Sequence, residues 1–327
     1  MAKIVILSMY DYCGSGYRLA QSIGLNTHHF VQYYRFVPDG LLFNRPPTVF
    51  SMVNGSWTIG QDNLKSLNKT LESCDIIHFK GDDFPEFPVI TLPKKPIVIS
   101  VSGSFFRRGD SVIARPGREI SEYVEVTDYR TSMMADLNYP EFDAVFTPHP
   151  YDTDNTKYCW KNKKIPLIVH TPTSRPKKGT ELLISAVNEI NKDKKVVDLK
   201  IIENESHEAA LEAIKSATIF FDQATQESYG NSTIEAMAFG VPVITHLSEL
   251  AIKQSNGILD NCPIINGGNK TETIKEAILE ILGLDLQGLS LETREFCEKV
   301  HSYKSVAKKW DDIYNSLVYI KDTSESF

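Results

Sequence analysis

Two carboxylates eight positions apart, Glu227 and Glu235, stand in a stretch whose other residues prepare a binding site. The stretch runs from Asp222 to Thr245 and reads DQATQESYGNSTIEAMAFGVPVIT. An ionised carboxylate accepts several hydrogen bonds at once, which suits the hydroxyls of a sugar or a ribose. Between the acids lie Tyr229, Gly230, Asn231, Ser232 and Thr233. A short helix is expected to begin there, with Ser232 or Thr233 as its cap, because a small hydroxyl accepts from the free N–H groups of a first turn. Those N–H groups and the positive end of the helix dipole favour an anion. The small residues Ala236 and Ala238 suit close packing, Gly240 stops the helix and Pro242 forbids its continuation. The apolar runs Ile219–Phe221 and Val241–Ile244 read as buried strands on either side. Glu227 on the loop and Glu235 inside the helix can then face one cleft at the carboxyl end of a parallel sheet, where open α/β sheets bind ligands. The pair alone would be two surface glutamates; the glycine, the cap and the Gly-Val-Pro-Val-Ile turn make the stretch far more specific.

The segment ESYGNSTIEAMAFGVPVI closely resembles the E-x7-E signature of retaining glycosyltransferases of family GT4, whose GT-B fold pairs two Rossmann-like domains across a cleft. The resemblance implies that Glu235 binds the donor's ribose and that Glu227 lies against the donor sugar. A second segment supports it. His170 to Thr180, HTPTSRPKKGT, follows an apolar strand and precedes a helix over 181–190. It resembles the opening of the donor domain, where an Arg and a Lys-Gly hold the donor diphosphate. Lys178-Gly179 matches the Lys-Gly. The Arg is displaced, with Thr173 at the usual position, but His170, Pro172, Thr173 and Arg175 fit a related His-x-Pro-Thr-x-Arg pattern. Arg175 and Lys178 beside a helix start could offset two phosphate charges.

The elements that must position these residues follow from composition and periodicity. At 327 residues the chain is long for one core, and two domains are expected. Strands alternate with helices, which argues for parallel sheets. In the first half, strands are expected at Lys3–Leu7, Asp75–Phe79, Pro96–Val101 and Asp143–Thr147, with helices near 61–73 and around 119–136. Residues 37–59 read as a loop or a small hairpin. The stretch 149–164, HPYDTDNTKYCWKNKK, breaks the periodicity and marks the boundary. The division is an amino-terminal acceptor domain over 1–155, a donor domain over 156–300, and a final helix over 301–327 that the resemblance returns to the first domain. Trp310, Ile313, Tyr314 and Leu317 have the spacing of one buried stripe.

After the first strand, Gly14, Ser15 and Gly16 precede a helix start, a cradle in which the backbone can approach an anion. The resemblance places that loop between donor phosphate and acceptor. At the end of another strand, Ser102, Gly103 and Ser104 with Arg107 stand where the family often has His-Gly-Ser and an Arg. Ser102 at the His position can hydrogen-bond but cannot act as a base near neutral pH. Lys94, Lys95, Arg107, Arg108, Arg115 and Arg118 cluster with a single acid, Asp110, among them. That run is either a solvated face or a basic rim for a phosphate-bearing acceptor. The acids of Gly81–Phe84 lack further ligands, so no metal is assigned to them. His78, inside an apolar strand, reads as a satisfied core histidine.

The reading is a glycosyltransferase that moves a sugar from a nucleotide-diphosphate sugar to a hydroxyl with retention, without a cofactor or a protein nucleophile. The resemblance makes a glycan or glycolipid the default acceptor and leaves a modified DNA base as an alternative. A sugar-nucleotide epimerase and a catalytically silent nucleotide-sugar binder are the rival functions on this fold. The five cysteines are scattered and odd in number, which points to free thiols in a reducing cytoplasm. Neither the net charge of −7 nor any apolar run suggests a nucleic-acid or membrane partner for the chain as a whole.

Overall fold

The structure is a computed structural model, and it describes residues 1–11, 14–37, 61–81, 92–102, 120–137 and 141–324. The chain divides into two compact units, Met1–Pro150 with Tyr303–Phe327, and Tyr151–Ser302. The breaks expected from the sequence lie at 155/156 and 300/301, within a few residues of these. Tyr151–Lys164 belongs to the second unit. Trp160 in it is 4% exposed, and its indole N–H donates to Thr218 O (2.9 Å).

The first unit opens β1 (Lys3–Tyr10), α1 (Ser15–Asn26), β2 (Phe30–Val37), α2 (Gln61–Ser73), β3 (Ile76–Lys80), β4 (Ile97–Val101), α3 (Ile120–Val126), β5 (Tyr129–Ser132) and β6 (Val145–Phe146). Its strands pair in parallel in the order β2-β1-β3-β4-β5-β6. Successive side chains of β1 point to opposite faces. Val5 and Leu7 accordingly join one core with Leu67 and Leu71 of α2, while Ile4 and Ile6 join another with Leu19 and Ile23 of α1. The helix expected around 119–136 is shorter than its sequence suggested. It ends at Val126, and β5 occupies 129–132. Thr131 and Ser132 are fully buried polar residues, so the strand lacks the apolar signature that would announce it.

The second unit contains β7 (Leu167–His170), α4 (Arg175–Lys178), α5 (Thr180–Ile190), β8 (Asp198–Ile201), α6 (His207–Lys215), β9 (Ile219–Phe221), α7 (Asn231–Ala238), β10 (Val243–Thr245), α8 (Glu249–Gln254), β11 (Ile265–Asn266), α9 (Thr271–Leu282) and α10 (Leu286–His301). Its parallel order is β11-β10-β9-β7-β8. Both units therefore place their first strand between their second and third. That reversal creates a switch point at the carboxyl ends of β1 and β3 in one unit, and of β7 and β9 in the other. Ligands of open α/β sheets bind at such points.

The last helix, α11 (Tyr303–Ser324), packs in the first unit beside α1. Trp310, Tyr314 and Leu317 are buried with Ile313 packed against them, the stripe their spacing predicted. His78 of β3 meets this helix. Its Nδ1 lies 2.7 Å from Tyr314 Oη, its Nε2 2.6 Å from Ser100 Oγ, and its ring against Trp310 (4.6 Å). Burial, helped by the charge of Lys80, pulls the imidazole down to about 3, so it is a neutral core group.

Candidate functional site

The site is built at the switch point of the second unit, where the loops after β7 and β9 are joined. Ala224 N–H donates to Lys178 O (3.0 Å), and the Thr225 hydroxyl donates to Lys177 O. His170 ends β7 and fixes both loops from beneath. Its Nδ1 contacts the Phe221 carbonyl (2.9 Å) and must carry the proton, so its Nε2 accepts from the Thr180 hydroxyl (2.9 Å). Burial holds this ring at about 4, which keeps it neutral and the tautomer fixed. Gly179 joins α4 to α5 at φ 70°, and a Cβ there would lie 2.7 Å from Ala224 Cβ. Only glycine allows the two loops to come this close.

Lys178 sits at the junction. Its ammonium donates to Asp222 Oδ1 (2.6 Å) and to Gln223 Oε1 (2.7 Å). Asp222 follows directly on β9 and is 2% exposed. Its carboxylate also accepts from Gly230 N–H (2.8 Å), the Ser232 hydroxyl (3.0 Å) and the Thr233 hydroxyl (2.8 Å). Burial alone would raise this carboxyl; the Lys178 charge and these hydrogen bonds outweigh it and hold the group below the ordinary range. The cap of α7 differs from the sequence expectation. Gly230 is the N-cap, and Ser232 and Thr233 turn their hydroxyls to Asp222 because that carboxylate is the stronger acceptor.

Glu235 lies one turn further into α7 with its carboxylate 7% exposed, and His207 Nε2 of α6 is 2.9 Å from its Oε1. Glu227 is exposed on the loop, and its carbonyl accepts from Ser248 N–H (3.1 Å). Arg175 is paired on both sides, with Glu181 (2.8 Å) and Glu203 (2.7 Å), its side chain 38% exposed. Tyr229 is buried, and its hydroxyl lies 3.0 Å from His301 Nε2. Asn231 opens the helix beside Ser232, both partly exposed. The second unit thus brings Lys178, Gly230, Ser232 and Thr233 onto one carboxylate. It sets Glu235 on a histidine, and it directs the Tyr229 phenol into the packing of α10.

In the first unit the turn after β1 is also closed by a carboxylate. Asp11, 2% exposed, accepts from Gly16 N–H (2.7 Å) and Tyr17 N–H (3.0 Å) at the start of α1. Gly14 adopts φ 60°, and a Cβ on Gly16 would lie 2.9 Å from Tyr33 Oη. Both glycines have structural reasons to be there, and Ser15 beside them is buried. Ser102 accepts from the buried Lys80 ammonium (2.7 Å). Gly103, Ser104, Arg107, Arg108, Arg115 and Arg118 lie outside the described residues, as do 82–84 and 38–60. Among the described residues, metal-ligating types converge at His28, His29 and Asp311. Ala2 N–H donates to His29 Nδ1 (3.1 Å), which leaves the ring proton on Nε2, the atom that faces Asp311 (3.0 Å). That trio is an imidazole–carboxylate contact and not a ready cation site.

Asp222, Gln223 and His207 were not singled out in the sequence. Each is a common residue type at a strand end or a helix start, and only the fold brings it to the site.

No protein-family model matches the chain, and no curated protein matches it. Solved structures do. Sucrose-phosphate synthase from Thermosynechococcus elongatus is 14% identical with a TM-score of 0.65, covering 98% of this chain and 100% of its own. The Anabaena protein HepE in complex with UDP-glucose is 11% identical with a TM-score of 0.61, covering 97% and 100%. An alpha-glucosyltransferase in complex with UDP and a 13-mer DNA containing an HMU base is 14% identical with a TM-score of 0.59, covering 95% and 98%. The two parallel sheets and this likeness give the chain the GT-B fold of two Rossmann-like units.

Proposed function

We propose that the protein is a retaining glycosyltransferase of the GT4 type, which moves a hexose or pentose from a nucleotide-diphosphate sugar to a hydroxyl. The observation that carries this reading is the stitched pair of loops at the second switch point, with a cation, a helix start and a buried carboxylate side by side. Structural neighbours that hold UDP or UDP-glucose support it. Departure of the diphosphate builds negative charge on the leaving group, and fixed donors aimed at that charge lower the barrier. Lys178 and the start of α7 supply them. Arg175 adds long-range positive potential, tempered by its two carboxylate partners. Glu235 receives the ribose hydroxyls, and Glu227 meets the donor sugar from the loop. No protein nucleophile is required if departure and attack share one face of the sugar.

The acceptor in this reading is a glycan or glycolipid. A second reading, transfer to a hydroxymethylated DNA base, is favoured by the DNA-bound neighbour and by the basic run over residues 94–118. Incubation with a panel of nucleotide sugars should release nucleoside diphosphate slowly, and faster with the right acceptor. Glycans, glycolipids and hydroxymethylated DNA are then compared. With DNA, turnover falls steeply as salt rises, because each phosphate contact releases condensed counterion. Interconversion of free nucleotide sugars would instead identify an epimerase, and binding without turnover a silent binder.

A further inference from the structure

We infer that Asp222 is the positioning residue of the donor-phosphate site: its buried carboxylate holds the Lys178 ammonium and the start of α7 in register, and the ligand's phosphate is received by the lysine's remaining N–H. The inference rests on the donor site proposed above. An ammonium has three donors. Two of them are committed to Asp222 Oδ1 (2.6 Å) and Gln223 Oε1 (2.7 Å), and the side chain stays 14% exposed. The carboxylate is anchored from four directions, by Lys178, Gly230 N–H, Ser232 and Thr233. Its backbone is anchored too, since Asp222 N–H donates to Ile244 O (3.0 Å). A group so held does not yield its place to an incoming phosphate. It fixes the partners around it.

A second observation points to a ligand above the pair. Gly230 has φ −102°, which any residue adopts. A Cβ there would lie 3.5 Å from Asp222 Oδ2 and 3.6 Å from Lys178 Nζ, ordinary contact distances. Neither backbone nor packing demands glycine here. The missing side chain leaves open a position 3.6 Å from the lysine's Nζ.

The test is a double-mutant cycle on Asp222→Asn and Lys178→Met, titrated by calorimetry with UDP, GDP, ADP and the matching nucleosides, with melting curves as the folding control. Wild type binds at least one nucleoside diphosphate more tightly than its nucleoside. In Asp222→Asn that diphosphate weakens about tenfold or more, the loss expected for a charge-assisted hydrogen bond, while the nucleoside is unchanged. In the Lys178→Met background, adding Asp222→Asn costs clearly less than it does in wild type, because only the start of α7 is left for the carboxylate to hold. The double variant is charge-balanced and keeps the test open if the single aspartate variant does not fold. Tighter diphosphate binding in Asp222→Asn would show a carboxylate that competes with phosphate, and a loss in the Lys178→Met background as large as in wild type would show a residue that does not act through the lysine; either overturns the inference. Unchanged binding in a folded Asp222→Asn also overturns it while leaving the donor site standing. A wild type that binds no nucleoside diphosphate removes both.

Discussion

At the scale of single residues, the two cations of the proposed donor site are not equivalent. Arg175 and Lys178 are three positions apart and looked interchangeable as phosphate holders. The structure separates them: Arg175 is held between Glu181 and Glu203 on the surface, whereas Lys178 is largely buried and directed by Asp222 and Gln223. Surface ion pairs contribute little and are screened, but a desolvated ammonium next to a phosphate is not. Lys178→Met should therefore weaken nucleoside diphosphate by one to two decades, roughly the 1.5–3 kcal/mol of a charge-assisted hydrogen bond. Arg175→Met should weaken it several-fold less, with nucleoside affinity unchanged in both. Equal losses for diphosphate and nucleoside in calorimetry would mean that the loops had been disturbed. What was legible in the sequence at this scale was residue type: two acids, two bases, a glycine-rich turn. What was not legible was pairing, because Asp222 and Lys178 are 44 positions apart and nothing local connects them.

At the scale of elements, two glycines on neighbouring loops have opposite reasons for being glycine, and so opposite consequences when replaced. Gly179→Ala places a Cβ 2.7 Å from Ala224 at φ 70°. It should lower stability by about 2 kcal/mol or more, from left-handed strain of about 1–2 kcal/mol and the parting of two packed loops. Gly230→Ala meets only ordinary contacts, so the melting temperature should hold within a few degrees while nucleoside diphosphate affinity falls. A Gly230→Ala protein that melts early yet binds normally would reverse the assignment. The second-unit elements were readable because short apolar runs mark the strands and recognisable breakers, Gly240 and Pro242, follow the helix that ends at Ala238. In the first unit β5 was not, since its last two residues, Thr131 and Ser132, are polar and buried, with Thr131 Oγ1 2.8 Å from Ser100 Oγ. The turn after β1 was read as an anion cradle. Asp11 accepts from two N–H groups of that turn, and a carboxylate before a glycine turn does not reveal from sequence whether it caps the helix.

At the scale of the whole molecule, both units hold a fully buried neutral histidine, His78 at about 3 and His170 at about 4. Both lie below the unfolded value near 6.5, so the unfolded chain binds more protons, and stability falls as pH drops from about 6.5 toward 4. At pH 5 each costs about 2 kcal/mol relative to neutral pH. Melting curves should shift down between pH 7 and 5, and Tyr314→Phe, which removes a partner of His78, should lower the first unit's stability by about 1–3 kcal/mol. A flat profile over that window would mean that the two rings are not held neutral. The central claim is a nucleotide-sugar donor site in the second unit, and calorimetry on wild type and Glu235→Gln tests it most directly. The account predicts saturable binding of a nucleoside diphosphate to wild type, weakened one to two decades in a variant that melts like wild type. No binding across the UDP, GDP and ADP panel, or wild-type affinity in folded Glu235→Gln, would contradict it.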